Sequence, residues 1–354
     1  MLKRCCRLIL MALIAACTFS ESEEAAPMLN DPLAALERLS LNTETIRIVR
    51  DSSVDIPAGG HLQGVQAFCD PRTKRRAFFL SGSSNSDGYI LTVLAGEGLQ
   101  GEGRLVQCTR LPSDGQSPPL KHAGGFQILG DFLVAGNEDN EDRKRSEIQF
   151  WNLSDPSRPK LLPHLTIQRR SDREKIKTAG AVGIVKTAAV YWLAAASWDA
   201  DTVDFYRSNS YPLSDDRCRF ESEPVLHWSR ETADREAWRP DQHFGNYQNI
   251  NLLCDASQNL YLAGFERAAG GDCIDLFRLD VHQTSDLMLQ KVASKIIPLS
   301  RGASFQYGGG FWIPSPGELI VLACGRSVRE QNLGRVGSKR SVAHREEAVI
   351  QIVR

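Results

Sequence analysis

Long apolar runs are almost missing from this sequence. The clearest, Leu8 to Ala16, is shorter than the roughly 20 residues a membrane-crossing helix requires. An excess of charge of either sign is also missing. Lys and Arg number 42 against 43 Asp and Glu, a net charge of -1, which excludes the broad basic footprint of a nucleic-acid binder. The densest basic run, Arg143-Lys144-Arg145, follows Glu138, Asp139, Glu141 and Asp142 and reads as a mixed, solvated loop. No Gly-x-Ser-x-Gly elbow and no phosphate-binding Gly-x-x-x-x-Gly-Lys-Ser/Thr occurs. Gly308-Gly309-Gly310 lacks the strand–helix–strand context of a dinucleotide site. From Thr45 onward no long helical period is found.

The N-terminus has the plan of a targeting segment. Lys3, Arg4 and Arg7 precede the apolar run, which ends in small residues. Leu13-Ile14-Ala15-Ala16-Cys17 resembles a bacterial lipoprotein box. The resemblance implies removal of residues 1–16 and a lipid on Cys17. Each buried methylene of such a lipid adds ~0.8 kcal/mol of membrane affinity. Thr18, rather than Asp, after the cysteine favours the outer over the inner membrane within that resemblance. A bacterial cell-envelope location follows from the same reading. Six further cysteines remain: Cys69, Cys108, Cys218, Cys254, Cys273 and Cys324. An exported site permits disulfides, and their pairing is open. Cys-x-x-Cys is absent among them, so nothing supports a zinc ribbon or a thioredoxin-like site.

Residues 17–43 begin polar and read as a tether. Asp31-Pro32 followed by Leu33, Leu36 and Leu39 predicts one short helix, with Asp as cap and Pro in the first turn. Residues 44–354 carry short β-rich runs separated by Gly, Asn, Asp, Ser and Pro.

Those runs repeat. His61-Leu-Gln-Gly-Val-Gln66 returns as His122-Ala-Gly-Gly-Phe-Gln127, Thr178-Ala-Gly-Ala-Val-Gly183, His243-Phe-Gly-Asn-Tyr-Gln248 and Tyr307-Gly-Gly-Gly-Phe-Trp312, at intervals of 56 to 65 residues. Each copy is followed by a second run, such as Phe132-Leu-Val-Ala-Gly136, and a third, such as Glu147-Ile-Gln-Phe-Trp151. Fourth runs are looser, as in Arg104–Gln107 and Pro159–Leu162. Four strands per unit is the signature of propeller blades. The fifth unit ends after three strands, and Thr45–Arg50 is available to complete it. The expected fold is therefore all-β: a single five-bladed β-propeller of four-stranded blades, the last closed by an N-terminal strand. Closure removes two exposed sheet edges. Small residues in each first strand suit close approach at the axis. Phe150, Trp151, Tyr191, Trp192 and Trp312 are expected to pack between blades. Ile148-Gln-Phe-Trp-Asn-Leu-Ser-Asp-Pro-Ser-Arg-Pro159 resembles the LVIVD-type repeat of bacterial surface propellers. That resemblance implies a propeller and no particular site.

In a propeller, first strands begin and second strands end on one face. The starts bring His61, His122, Thr178, His243 and Tyr307 to the mouth of a central channel. The ends bring Glu138, Asp139, Trp198, Asp199, Glu266, Arg267 and Arg326. Three readings of this ring stay open. The polar groups hold neighbouring blades together. Alternatively, imidazole, carboxylate, guanidinium and indole groups bind a polar ligand or a protein. Or His61, His122 and His243, with Glu138 or Glu266, ligate a divalent metal, although no short ligand spacing supports it. No other cofactor is expected. The leading expectation is an exported propeller that binds at this mouth. A hydrolase using His and carboxylates there is the alternative, and a structural envelope lipoprotein the third. The residues leave open whether the protein is an enzyme.

Overall fold

A computed structural model of the chain describes residues 28–50, 52–96, 101–171, 177–231, 244–280, 288–300, 302–328 and 348–354. The expected targeting segment (residues 1–16), Cys17 and His243 lie outside the described residues. Among those described, no helix is long and apolar enough to cross a membrane.

Helix α1 (Pro32–Arg38) forms where the sequence places it. Asp31 Oδ1 accepts from Ala34 N at 3.0 Å, and Pro32 occupies the first turn. The helix is docked, not free. Leu29, Ala35, Leu36 and Leu39 are buried in one apolar cluster with Leu253, Tyr261 and Ile274. Lys295 Nζ donates to the carbonyls of Leu36 and Glu37, both at 2.8 Å, and of Leu39 at 3.0 Å. Leu36 O also accepts from Leu39 N at 3.3 Å, so Lys295 adds a charged donor to the carbonyls at the C-terminal end of the helix. The packed body therefore reaches back into the segment that the sequence presents as a tether.

Five antiparallel units follow. The first is β2 (Leu62–Cys69), β3 (Arg76–Gly82), β4 (Tyr89–Ala95) and β5 (Gly101–Arg110). The second is β6 (His122–Leu129), β7 (Phe132–Glu138) and β8 (Arg145–Asn152), with a split fourth strand, β9 (Lys160–Leu161) and β10 (Ile167–Arg170). Only the first part of that split strand lies within the predicted Pro159–Leu162. Asp155 Oδ1 accepts from Ser157 N at 3.0 Å and closes the Ser-Asp-Pro turn leading into it. The third unit is β11 (Ala181–Lys186), β12 (Tyr191–Ala196), β13 (Thr202–Arg207) and β14 (Leu226–Ser229). The fourth is β15 (Asn249–Cys254), β16 (Leu260–Ala268), β17 (Gly271–Asp280) and β18 (Met288–Ile297). The fifth is β19 (Ser304–Trp312), β20 (Ile320–Cys324) and β21 (Val349–Val353), completed by β1 (Thr43–Arg50).

β1 closes the ring as expected, pairing antiparallel with β21 from Thr43↔Val353 to Arg47↔Val349. Its other edge pairs in parallel with β5, from Ile46↔Gly101 to Arg50↔Leu105. The outer edges of the fifth and first blades thus cover each other.

The core lies between blades in five apolar clusters. Period-two alternation builds them. In β7, Phe132 and Val134 enter the cluster shared with the third blade, whereas Leu133 and Ala135 enter the one shared with the first. In β20, Val321 and Ala323 face the fourth blade while Ile320 and Leu322 face the first. Strands buried on both faces read as continuous apolar runs, which is why they stand out in the sequence. Phe150, Trp151, Tyr191, Trp192 and Trp312 all sit in or against these clusters. Cys69, Cys108, Cys218, Cys254, Cys273 and Cys324 are free thiols.

The axis is not an open channel, contrary to expectation. A Cβ on Gly125 would fall 2.7 Å from the Gln248 carbonyl oxygen, and one on Gly310 would fall 2.6 Å from that of Val65. Backbones from different blades meet there. Buried amides fasten them. Gln127 Oε1 accepts from Ile184 N and Leu252 N, both at 2.9 Å, and its Nε2 donates to Leu252 O at 3.0 Å. Asn251 Oδ1 accepts from Phe311 N at 2.6 Å, and Asn249 Nδ2 donates to Gln63 O at 3.0 Å. One glutamine therefore joins three blades.

Candidate functional site

With the axis filled, the predicted mouth is a depression in one face. Its centre is a chain of touching side chains. The Tyr307 and His61 rings meet edge to face, with centroids 6.0 Å apart. His61 Nδ1 lies 3.0 Å from the Leu62 carbonyl oxygen, to which it donates, and Gln63 Nε2 lies 3.3 Å from His61 Nε2 and 2.9 Å from His122 Nε2. An amide nitrogen only donates, so His122 Nε2 accepts and the ring proton rests on Nδ1. That atom lies 2.9 Å from Glu138 Oε1, close but poorly aligned for a hydrogen bond. Glu138 is fully buried, and its Oε2 accepts from Ala179 N at 2.7 Å. His122 stacks on Trp198 with centroids 5.5 Å apart, and the Arg143 guanidinium lies 4.1 Å from that indole ring. Thr178 Oγ1 accepts from Trp198 N at 2.8 Å.

Burial is the main influence holding the His61 imidazole below its usual pKa of 6.5. The Leu62 carbonyl works against it, while His122 and Arg326 add to it. The Trp198 loop is held in a costly conformation, with Asp199 and Ala200 at φ of +54° and +55°. Arg230 ties this loop to the fourth blade by donating to Asp199 O at 2.8 Å and Gly245 O at 2.9 Å.

The remaining predicted residues divide. Asp139 is spent locally, its Oδ1 accepting from Glu141 N and Asp142 N. Asp199 Oδ1 accepts from Gln248 Nε2 at 3.3 Å. Glu266 Oε2 accepts from Asn246 N at 3.0 Å and packs against Gly245. Arg267, Tyr307 and Arg326 line a cleft of about 400 Å³ at the rim, with Ser304, Gln306 and Ser327.

Three expectations are corrected. The fourth inner strand begins at Asn249, not at His243, because the Gly-containing copy there forms the approach to the strand. Thr178 likewise precedes β11, which starts at Ala181. Tyr307 lies inside β19, not at its start, because a bulge between Ser304 and Gly309 lengthens that strand. The Arg143–Arg145 run leaves Lys144 exposed, as expected of a mixed, solvated loop, while Arg143 covers Trp198 and Arg145 Nη1 pairs with Asp114 Oδ2 at 2.6 Å.

Among the described residues, no three His, Cys, Asp or Glu side chains converge as a metal centre. His61 and His122 are joined by an amide donor where a cation would need lone pairs. Sequence reasoning missed Gln63, Arg143, Ser304 and Ser327.

Fold and mouth together define a closed five-bladed β-propeller with a polar depression on one face. No family model and no curated relative matches the sequence. Similar solved structures include a putative hydrolase from Bacteroides ovatus, at 13% identity over 84% of this chain and 87% of that one, with a TM-score of 0.42. The catalytic domain of an α-L-arabinofuranosidase from Coprinopsis cinerea shows 11% identity over 88% and 97%, with a TM-score of 0.41. An α-L-arabinofuranosidase from Clostridium thermocellum shows 12% identity over 65% and 72%, with a TM-score of 0.38. No residue role is transferred from likenesses this remote.

Proposed function

We propose that this propeller binds a small polar ligand at the His-bearing mouth, seated in the cleft between the fourth and fifth blades. The cleft carries the reading. Its volume of about 400 Å³ is that of a small-ligand site. It opens beside His61, Tyr307 and Arg326, on a face held rigid by the axial amides.

A second reading rests on the His122–Glu138 pair. An imidazole 2.9 Å from a buried carboxylate is the acid–base group that a hydrolase at this mouth would use. In that reading Trp198 shields the pair from water.

One experiment addresses both. Wild type and Ser327→Trp, which fills the cleft, are screened by thermal shift against monosaccharides, sugar acids and amino acids, and against disaccharides and dipeptides, which offer a bond to hydrolyse. Recovered ligands are then analysed by mass spectrometry. Wild type is expected to gain several degrees in Tm with one ligand class, and Ser327→Trp to gain none. Equal shifts in both proteins would move the site elsewhere. Cleaved ligand would favour the hydrolase reading over simple binding.

A further inference from the structure

Resting on the binding reading above, we infer that the cleft between the fourth and fifth blades selects ligands that carry a carboxylate. The charged lining is entirely cationic. Arg267 and Arg326 face the cleft, and among the described residues none that lines it is acidic. The nearest balancing charge is Asp272, which is buried behind it and already committed. Asp272 Oδ1 accepts from Ser304 Oγ at 2.8 Å and Phe305 N at 2.7 Å, and Oδ2 accepts from Arg267 Nη1 at 2.5 Å.

This arrangement fixes Arg267 and leaves its other N–H groups with no partner among the described residues. Arg326 is exposed at the rim and makes no side-chain hydrogen bond or ion pair among the described residues. Among the described residues, two guanidinium groups against one buried carboxylate leave a single positive charge to be met. A monoanion meets it, whereas a dianion such as phosphate would overshoot. The planar fork of a guanidinium matches a carboxylate with two parallel hydrogen bonds. Ser300, Ser304, Ser327 and the Tyr307 hydroxyl surround that point with groups that suit ligand hydroxyls. A hydroxylated carboxylic acid of sugar size fits both the charge and the volume.

The test is calorimetric titration of the full chain at low ionic strength with D-glucuronate, its neutral amide D-glucuronamide, and inorganic phosphate. Proteins compared are wild type, Arg326→Gln, Arg326→Lys and Ser327→Trp. Glucuronate is expected to bind about tenfold tighter than glucuronamide, equivalent to about 1.4 kcal/mol. Added salt should narrow that gap. Arg326→Gln should bring glucuronate down to the affinity of the amide and leave the amide unchanged. Arg326→Lys should keep part of the preference, which separates lost charge from misfolding.

Equal binding of the acid and amide, both blocked by Ser327→Trp, would overturn charge selection and spare the binding site. Binding that Ser327→Trp leaves unchanged would overturn the site itself. Tighter binding of phosphate than of glucuronate, or no binding of glucuronate, would overturn the carboxylate assignment.

Discussion

Two of the blade interfaces are built alike beneath and differently at their polar margins. Between the second and third blades the charged side chains are joined to one another inside the protein. Asp204 holds Arg169 Nη2 at 2.6 Å, Lys177 Nζ at 3.1 Å and His227 Nδ1 at 2.6 Å. Arg169 Nη1 also donates to Thr178 O at 2.6 Å. Between the fourth and fifth blades, Asp272 answers Arg267, while Arg326 faces the cleft. An apolar cluster underlies each interface. Blade docking rests on that cluster. Where a charged side chain of the margin has no partner among the described residues, as at Arg326, the fold has room for something other than itself.

The strongest way to break the contrast is to open the sealed interface. Asp204→Ala leaves Arg169, almost wholly buried, as an uncompensated charge, at an expected cost of about 3–5 kcal/mol. Urea unfolding checks it. The equivalent change at the other interface, Arg326→Gln, should leave the urea midpoint nearly unchanged.

Acid sharpens the comparison. Burial alone would raise the Asp204 carboxyl, but Arg169, His227 and Lys177 outweigh it and hold it below its usual 3.8. In the acid limb the unfolded chain takes up the proton first. The stability Asp204 contributes is therefore present above pH 3.8 and is lost as pH falls through the lower folded value. His61 acts at higher pH. Its depressed folded pKa makes stability fall as pH drops from 6.5 towards that value, and the fall stops below it. Thermal melts across pH 3 to 7 should show both limbs, with His61→Gln flattening only the upper one.

The smallest expected effect is at the half-exposed indole. Trp198→Ala removes the stack on His122 and the Arg143 contact, together about 1 kcal/mol. A larger loss in the urea midpoint would mean that the strained Trp198 loop itself holds the third and fourth blades together.

The blades were legible because strands buried on both faces concentrate apolar residues, and because the chain's two ends supplied complementary fragments of one blade. The mouth was legible where repeats and strand starts coincide, at His61 and His122. It was displaced where they do not. Around His243 the small residues belong to the approach to β15, and near Tyr307 a bulge moves the register. Gln63 and Arg143 were illegible for a different reason. Their roles depend on partners from other blades, and no local pattern records a contact across that distance.

The double pairing of β1 has a consequence for the order in which the molecule is completed. The first strand of the chain needs two partners made at different times. β5 is synthesised soon after it, so the parallel ladder can hold β1 against the first blade early. β21 is synthesised last. The ring can therefore close only once β21 has been made, by docking on β1.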